Sequence, residues 1–265
     1  MIMAIGRALW NYRGFVLGNV KREFQSKYQN SLLGAAWNIL NPLSMIVVYT
    51  VIFSQVMHSK IPGVGNVFGY SIYLCSGILT WGLFAEIVGR GQNVFLEYAN
   101  LLKKVNFPRL CLPVTIILNA LLNFSIVFGI FTVFLVVTGN FPGVVFLSLI
   151  PILIVMVVFA MGLGITLGVL NVFFRDVGQF FGIALQFWFW LTPIIYPAEI
   201  LPARIHEYLK LNPMYGVISS SQDILVKGQW PNYESLLPAL LIGLVLCIIG
   251  LKLFRNHSGE MVDEL

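Results

Sequence analysis

Six long apolar runs, with nearly all the charge confined to the stretches between them, constrain this chain more than any motif does. They lie at residues 37–57, 68–89, 110–137, 144–170, 177–196 and 236–254. A helix crosses bilayer hydrocarbon in about 20 apolar residues, so each run reads as one membrane span. The third and fourth are long enough to require tilt or a kink, with Pro113 and Pro151 as the kink points. The whole chain of 265 residues is 58% apolar and only 10% charged, with a mean hydropathy of +0.86. A soluble domain carries about 25% charged residues, and this chain has too few to cover so much apolar surface. A soluble enzyme and a disordered chain are both excluded. The expected fold is an all-α polytopic membrane protein with six transmembrane helices. Residues 1–9 lack a charged segment before an apolar core and a small-residue cleavage site, so they do not read as a signal peptide.

The basic residues orient the spans. Arg7, Arg13, Lys21, Arg22 and Lys27 precede the first run, and Arg90, Lys103, Lys104 and Arg109 separate the second from the third. Arg175 separates the fourth from the fifth, and Lys252 and Arg255 follow the sixth. Twelve of the sixteen basic residues therefore share one side; Lys60, Arg204, Lys210 and Lys227 take the other. The positive-inside rule places both termini in the cytoplasm. The net charge of +5 is a topology signal, not the mark of a nucleic-acid-binding surface.

Three regions are not simple spans. Residues 1–36 form an expected cytoplasmic interface segment, ahead of a transmembrane domain over 37–265. Ile5, Leu9, Tyr12, Val16 and Val20 recur at helical spacing, with Arg7, Lys21 and Arg22 on another face, which predicts an amphipathic helix in the headgroup layer. Between spans two and three, Val94, Tyr98, Leu101 and Leu102 predict a short helix parallel to the membrane. Between spans five and six, residues 202–210 and 213–227 each begin with Pro, a favourable first helical residue. Both pieces are too short or too polar to cross, so they read as re-entrant or interfacial helices bordering a cavity.

Catalytic chemistry finds little support. No Gly-x-x-x-x-Gly-Lys-[Ser/Thr] motif is present, and no Gly-Lys pair occurs. Cys75, Cys111 and Cys247 lack disulfide or metal spacing, and His58, His206 and His257 are isolated, so no metal site is expected. Gly162, Gly164 and Gly168 lie inside span four and read as a close-packing surface. Glu86 reads first as a carboxylate paired with Arg90 or snorkelling to the interface, and second as an ion or proton relay. Asn119 and Asn123, four apart, suit hydrogen bonds across a helix interface or a pore lining. Aromatic residues crowd span five at Phe180, Phe181, Phe187, Trp188, Phe189, Trp190 and Tyr196. Tyr49, Phe53, Trp81 and Phe84 add to them from spans one and two. An interfacial belt explains part of this set. The run 187–190 covers all sides of a helix, so some of its rings face inward, where a ring stacks on a sugar or seals a pore.

Four stretches carry a resemblance. Residues 21–42 (KREFQSKYQNSLLGAAWNILNP), 102–113 (LKKVNFPRLCLP), 171–177 (NVFFRDV) and 192–214 (TPIIYPAEILPARIHEYLKLNPM) resemble, in order and spacing, polysaccharide-exporting ABC transporter permeases. That family includes the O-antigen, capsule and teichoic-acid exporters. Two positions depart from its pattern: Arg22-Glu23 stands where Arg-Asp is common, and Gln222 lies near a position that is commonly basic.

The resemblance implies a six-span subunit of the bacterial inner membrane that pairs with itself and docks two copies of a separate ATPase. ATP and Mg would sit on that partner, and this chain would bind no cofactor and perform no catalysis. By the same resemblance, residues 101–109 form a coupling helix. Leu101, Lys103, Lys104, Phe107, Pro108 and Arg109, with Arg175 and Asp176 nearby, would meet the ATPase. The cargo would be an undecaprenyl-linked polysaccharide, O-antigen foremost, moved from the cytoplasm to the outer face. Tyr49, Phe53, Trp81, Phe84, Phe187, Trp188, Trp190 and Tyr196 are the candidate channel residues. Pro197, Pro202, Asn212 and Pro213 mark an external gate. Two alternatives stand beside this reading: an ABC permease for a drug or small lipid, and an integral-membrane enzyme acting on a lipid carrier.

Overall fold

The computed structural model describes residues 10–26, 36–52, 68–104 and 109–264. Among them there is no strand. Helix α1 (Arg13–Ser26) is followed by α2 (Trp37–Tyr49), whose π-helical end extends it through Ile52. Helix α3 (Gly69–Gly91) leads through a single turn, Val94–Glu97, to α4 (Ala99–Lys104). Then come α5 (Cys111–Val137), α6 (Leu149–Phe173, preceded by a 3-10 turn, Gly143–Ser148) and α7 (Asp176–Leu191). Two short helices, α8 (Ala203–Leu209) and α9 (Pro213–Gln222), precede α10 (Leu237–His257) and a terminal turn, α11 (Glu260–Glu264).

Four helical stretches are long and apolar enough to cross a membrane: Gly69–Gly91, Cys111–Val137, Gly143–Phe173 and Tyr233–His257. They coincide with expected spans two, three, four and six. Expected span one begins at α2, and its residues 53–57 lie outside the described residues, as does Phe53. Expected span five is shorter than its apolar run. Helix α7 stops at Leu191, about 24 Å long at 1.5 Å per residue, and residues 192–197 are unwound. The cause is Pro193, which excludes α geometry from the residue before it; Thr192 is extended at φ −99°, ψ 132°. Pro113 and Pro151 interrupt nothing. Each sits at the third position of its helix, where a missing N–H costs no intrahelical bond.

Helix α6 is the hub of the bundle, and its glycines set the spacing on two sides. Toward α10, a Cβ on Gly162 would lie 2.7 Å from both the Gly243 carbonyl oxygen and the Cys247 amide nitrogen. Toward α3, a Cβ on Gly168 would lie 2.6 Å from the Gly91 carbonyl oxygen. Backbones this close allow bonds across the seam: Thr166 Oγ1 donates to the Leu246 carbonyl at 3.1 Å as well as within its own helix. The glycine run is therefore a packing surface. The larger core follows the helices, through Phe84, Phe131, Ile152, Phe159 and Ala239. A second core closes the end that carries Arg90, Arg109 and Arg175, through Val16, Phe95, Leu102, Leu112, Val172, Phe254 and Met261.

Gly162→Ala meets backbone that has no room to give, and overpacking of this kind costs roughly 1–3 kcal/mol. Its thermal midpoint in detergent should fall below that of the parent. Gly89→Ala, whose Cβ would meet nothing within 4 Å, should not lower it. Equal midpoints for the two variants would show that the α6–α10 spacing is not set by Gly162.

Candidate functional site

Two polar assemblies stand at opposite ends of the bundle. At the basic end, α1 lies with Val16 and Val20 buried and Lys21 and Arg22 exposed, as the pattern requires, whereas Tyr12 of the same stripe is 39% exposed and Ile5, Arg7 and Leu9 lie outside the described residues. Its Glu23 turns inward. Glu23 Oε1 lies 2.5 Å from Arg90 Nη2, and Glu23 Oε2 accepts from Asn119 Nδ2 at 2.5 Å. Arg90 also approaches Glu86 Oε1 at 3.8 Å, and Asn123 Nδ2 donates to that same oxygen at 2.9 Å. One network thus joins α1, the end of α3 and one face of α5. Nearby, burial pushes the Tyr98 phenol above its ordinary range; the Glu23 charge adds to the rise and Arg90 opposes it.

The loop after α3 is anchored rather than loose. Val94, Phe95 and Leu102 are buried in the second core, Leu101 is half-buried, and Lys103 is exposed. Arg109 Nη1 donates to the Ser258 carbonyl. The loop after α6 presents Arg175 and Asp176 to the surface. The two loops are joined by Asn171, which is buried. Its Nδ2 donates to the Gln92 carbonyl at 2.9 Å and to Asn93 Oδ1 at 3.1 Å, and its Oδ1 accepts from the Gly178 amide at 2.9 Å. Lys104 lies at the end of α4, while Phe107 and Pro108 fall outside the described residues.

At the other end, the unwound segment 192–197 needs donors for its carbonyls, and α3 and α9 supply them. Tyr70 donates to the Ile195 carbonyl at 2.6 Å, and Tyr73 to those of Pro193 at 3.1 Å and Tyr196 at 2.9 Å. Gln222 Nε2 adds bonds to Pro193 at 3.3 Å and Ile194 at 3.5 Å. Helix α9 is a buried wedge carrying Met214, Val217 and Ile218 inward. Asn212 caps it, accepting from the Met214 amide at 3.0 Å with Pro213 next in line. Asn212 also accepts from Trp188 Nε1 at 2.8 Å and donates to Thr192 Oγ1 at 2.9 Å. After α9, a π-helical turn ends at Gly228, left-handed at φ 62°. In that turn Lys227 Nζ lies 2.7 Å from Asp223 Oδ1 and 4.0 Å from Glu199 Oε1. The hydrogen bond to Asp223 holds the Lys227 ammonium above its ordinary range, so it stays charged at neutral pH. Pro197 and Pro202 bracket the short turn Ala198–Ile200, and α8 follows.

The aromatic candidates divide into two sets. Trp81, Phe84 and Trp188 pack with one another and with Phe159, at ring separations of 5.3 to 6.1 Å. Phe187 and Trp190 project from the exposed face of α7, at 66% and 61% exposure. Tyr49 is half-buried, and Tyr196 donates to the Trp190 carbonyl at 2.8 Å.

A bundle of long apolar helices with anchored basic loops and a short buried helix at the other end narrows the possibilities, and comparison with known proteins decides among them. The family model described as ABC-2 type transporter matches residues 16–226. The chain belongs to the ABC-2 transporter family. It is 30% identical over 245 residues to the O-antigen export system permease protein RfbA of Klebsiella pneumoniae, covering 92% of each chain. It is 28% identical over 261 residues to RfbA of Myxococcus xanthus, covering 98% of each. It is 24% identical over 248 residues to the polysialic acid transport protein KpsM of Escherichia coli, covering 92% of this chain and 93% of that one. Family membership and the four long apolar helices make it a multi-pass membrane protein, and these relatives are transport permeases rather than enzymes.

Both departures from the family pattern have structural partners here. Glu23 reaches Arg90 and Asn119, and Gln222 offers an uncharged donor to the unwound carbonyls. Asn171 and Tyr73 had escaped the motif reading. Asn171 stood inside a recognised stretch, but its partners are about 80 residues away, and Tyr73 reads in sequence as one more aromatic residue in an apolar run.

Two measurements follow from these contacts. A double-mutant cycle with Glu23→Gln and Arg90→Gln, read by thermal unfolding in lipid nanodiscs, should give a coupling of about 1 kcal/mol for this partly exposed pair; strict additivity would dismiss the pair. Asn212→Ala should cost about 1–2 kcal/mol through loss of the cap. Asn212→Asp, which keeps the accepting oxygen and gives up only the donation to Thr192, should cost distinctly less, and equal losses would show that the donation to Thr192 matters as much as the cap.

Proposed function

We propose that this chain is the transmembrane subunit of an ABC exporter that moves a lipid-linked polysaccharide, O-antigen foremost, from the cytoplasm to the outer face of the inner membrane. The observation that carries the reading is the match over 92% or more of the chain to permeases named for O-antigen export, with a more distant match to a polysialic acid transporter. The sequence supports it from the other side. Its residues include no Gly-Lys pair and hence no P-loop, as expected of a subunit worked by a separate ATPase.

In this reading α2 and α7 are spans one and five, giving six in all with both termini cytoplasmic. Helix α7 is short, and the embedded segment 192–197 completes its passage. Two copies of the chain pair, and two ATPase subunits carrying ATP and Mg dock on the basic end. Lys103, Arg175 and Asp176 are exposed there, backed by the anchored core beneath α4. Arg109 holds the loop to the chain's C-terminal region, and Asn171 makes the two docking loops move together. A hydrated glycan cannot enter hydrocarbon without losing the water partners of its hydroxyls, so it needs a lined path. The outward rings Phe187 and Trp190 are the candidates to meet it, supported from behind by the packed trio Trp81, Phe84 and Trp188. Helices α8 and α9 form the outer gate.

Deleting the chain, or replacing Phe107-Pro108-Arg109 by alanines, should trap undecaprenyl-linked polymer inside the cell and remove it from the surface, read by immunoblot of spheroplast and whole-cell fractions. Normal surface polymer after loss of the only copy would overturn the assignment.

A further inference from the structure

The outer end of the bundle contains a cavity of about 110 Å3 between the start of α3, the unwound segment after α7, and α9 with its π-helical turn. We propose that this cavity is a subsite for one neutral sugar residue, a proposal that rests on the glycan-export reading and adds a place where the glycan is held.

Size, charge and unused hydrogen-bonding capacity support the proposal. About 10–15 Å3 on this volume scale is enough to admit one water, and the cavity is roughly seven to eleven times that, room for a ring-sized polyol rather than a single water. The charged groups on its wall are Glu199, Asp223 and Lys227. Two carboxylates face one ammonium, so an anionic ligand such as a carrier diphosphate is repelled. A metal cation would have to displace Lys227, which already lies 2.7 Å from Asp223 and 4.0 Å from Glu199. A neutral polyol meets neither obstacle. Carboxylate oxygens accept from adjacent hydroxyls, and an ammonium donates back.

The Tyr215 hydroxyl on the same wall makes no hydrogen bond to another described residue, and its ring gives an apolar face suited to a sugar's C–H side. Tyr73 and Gln222 close the inner wall. Their donors are spent on the carbonyls of Pro193, Ile194 and Tyr196, so that wall is fixed before any ligand arrives. The cavity is thus a preorganised polar pocket on a rigid frame, the arrangement that limits the entropy cost of binding.

The test uses the full transporter, with its ATPase, in lipid nanodiscs. The probes are D-glucose, D-galactose, D-mannose, L-rhamnose and N-acetylglucosamine, with D-glucuronate as the anionic probe, all read by saturation-transfer NMR. At least one neutral sugar should bind and D-glucuronate should not. Glu199→Gln and Tyr215→Phe, both nearly isosteric, should each weaken the sugar about fivefold or more. Ser219→Phe, which fills the cavity, should abolish binding. Melting curves for all three variants confirm that they remain folded. The subsite is refuted if no neutral sugar binds, if D-glucuronate binds in preference, or if folded variants bind sugar as the parent does. Those results leave the export assignment standing, because that assignment falls only if deletion of the chain leaves surface polymer normal.

Discussion

A backbone carbonyl or amide left without a partner in hydrocarbon costs several kcal/mol, and the non-helical parts of this structure are arranged around that cost. The helices meet it internally. The unwound segment 192–197 cannot, and it persists because three side chains from two other elements are aimed at its carbonyls: Tyr70, Tyr73 and Gln222. Asn212 does the same for the start of α9 while holding Trp188 and Thr192. These polar side chains have different partners but one role. They let the chain leave helical geometry inside the bundle, and so make a polar cavity possible at this end.

The same requirement explains what the sequence revealed and what it hid. Apolar runs and caps are local signals, so four long helices, α1, α8 and α9 were legible from periodicity, from charge placement and from proline, which opens α9 at Pro213 and stands one residue before α8 at Pro202. The glycines of span four were legible as a packing surface because small residues have few other uses in such a helix. The end of α7 was misjudged because Ile194, Ile195 and Tyr196 continue the apolar run past Pro193, and hydropathy does not register a backbone that has stopped being helical. Long-range polar pairing was the hardest to see. Glu86 with Arg90 lies one turn apart and was anticipated, but Glu23 with Asn119 and Asn171 with Gln92 join residues about 80 to 100 positions apart. No local pattern encodes such pairs.

The aromatic residues show a similar division. Counting rings identifies the right helices but cannot say which rings are structural. Trp81, Phe84 and Trp188 are consumed in packing α3, α6 and α7 together. Phe187, one position before Trp188, and Trp190, two positions after it, face outward. At 100° per residue they lie about 100° and 200° around the helix from Trp188, and the inward ring fixes the direction in which the outward ones point.

Helix α3 connects the two ends. At its basic terminus Arg90 and Glu86 bind α1 and α5; at its other terminus Tyr70 and Tyr73 bind the unwound segment that borders the outer cavity. Between them run 23 residues of unbroken helix, about 35 Å long at 1.5 Å per residue. Gly91 and Gly168 bring its basic end close against α6. A rigid element with specific contacts at both ends is one physical means of coupling two sites, and α3 has such contacts: α1 is tied to one end of this helix and the unwound segment beside the cavity to the other.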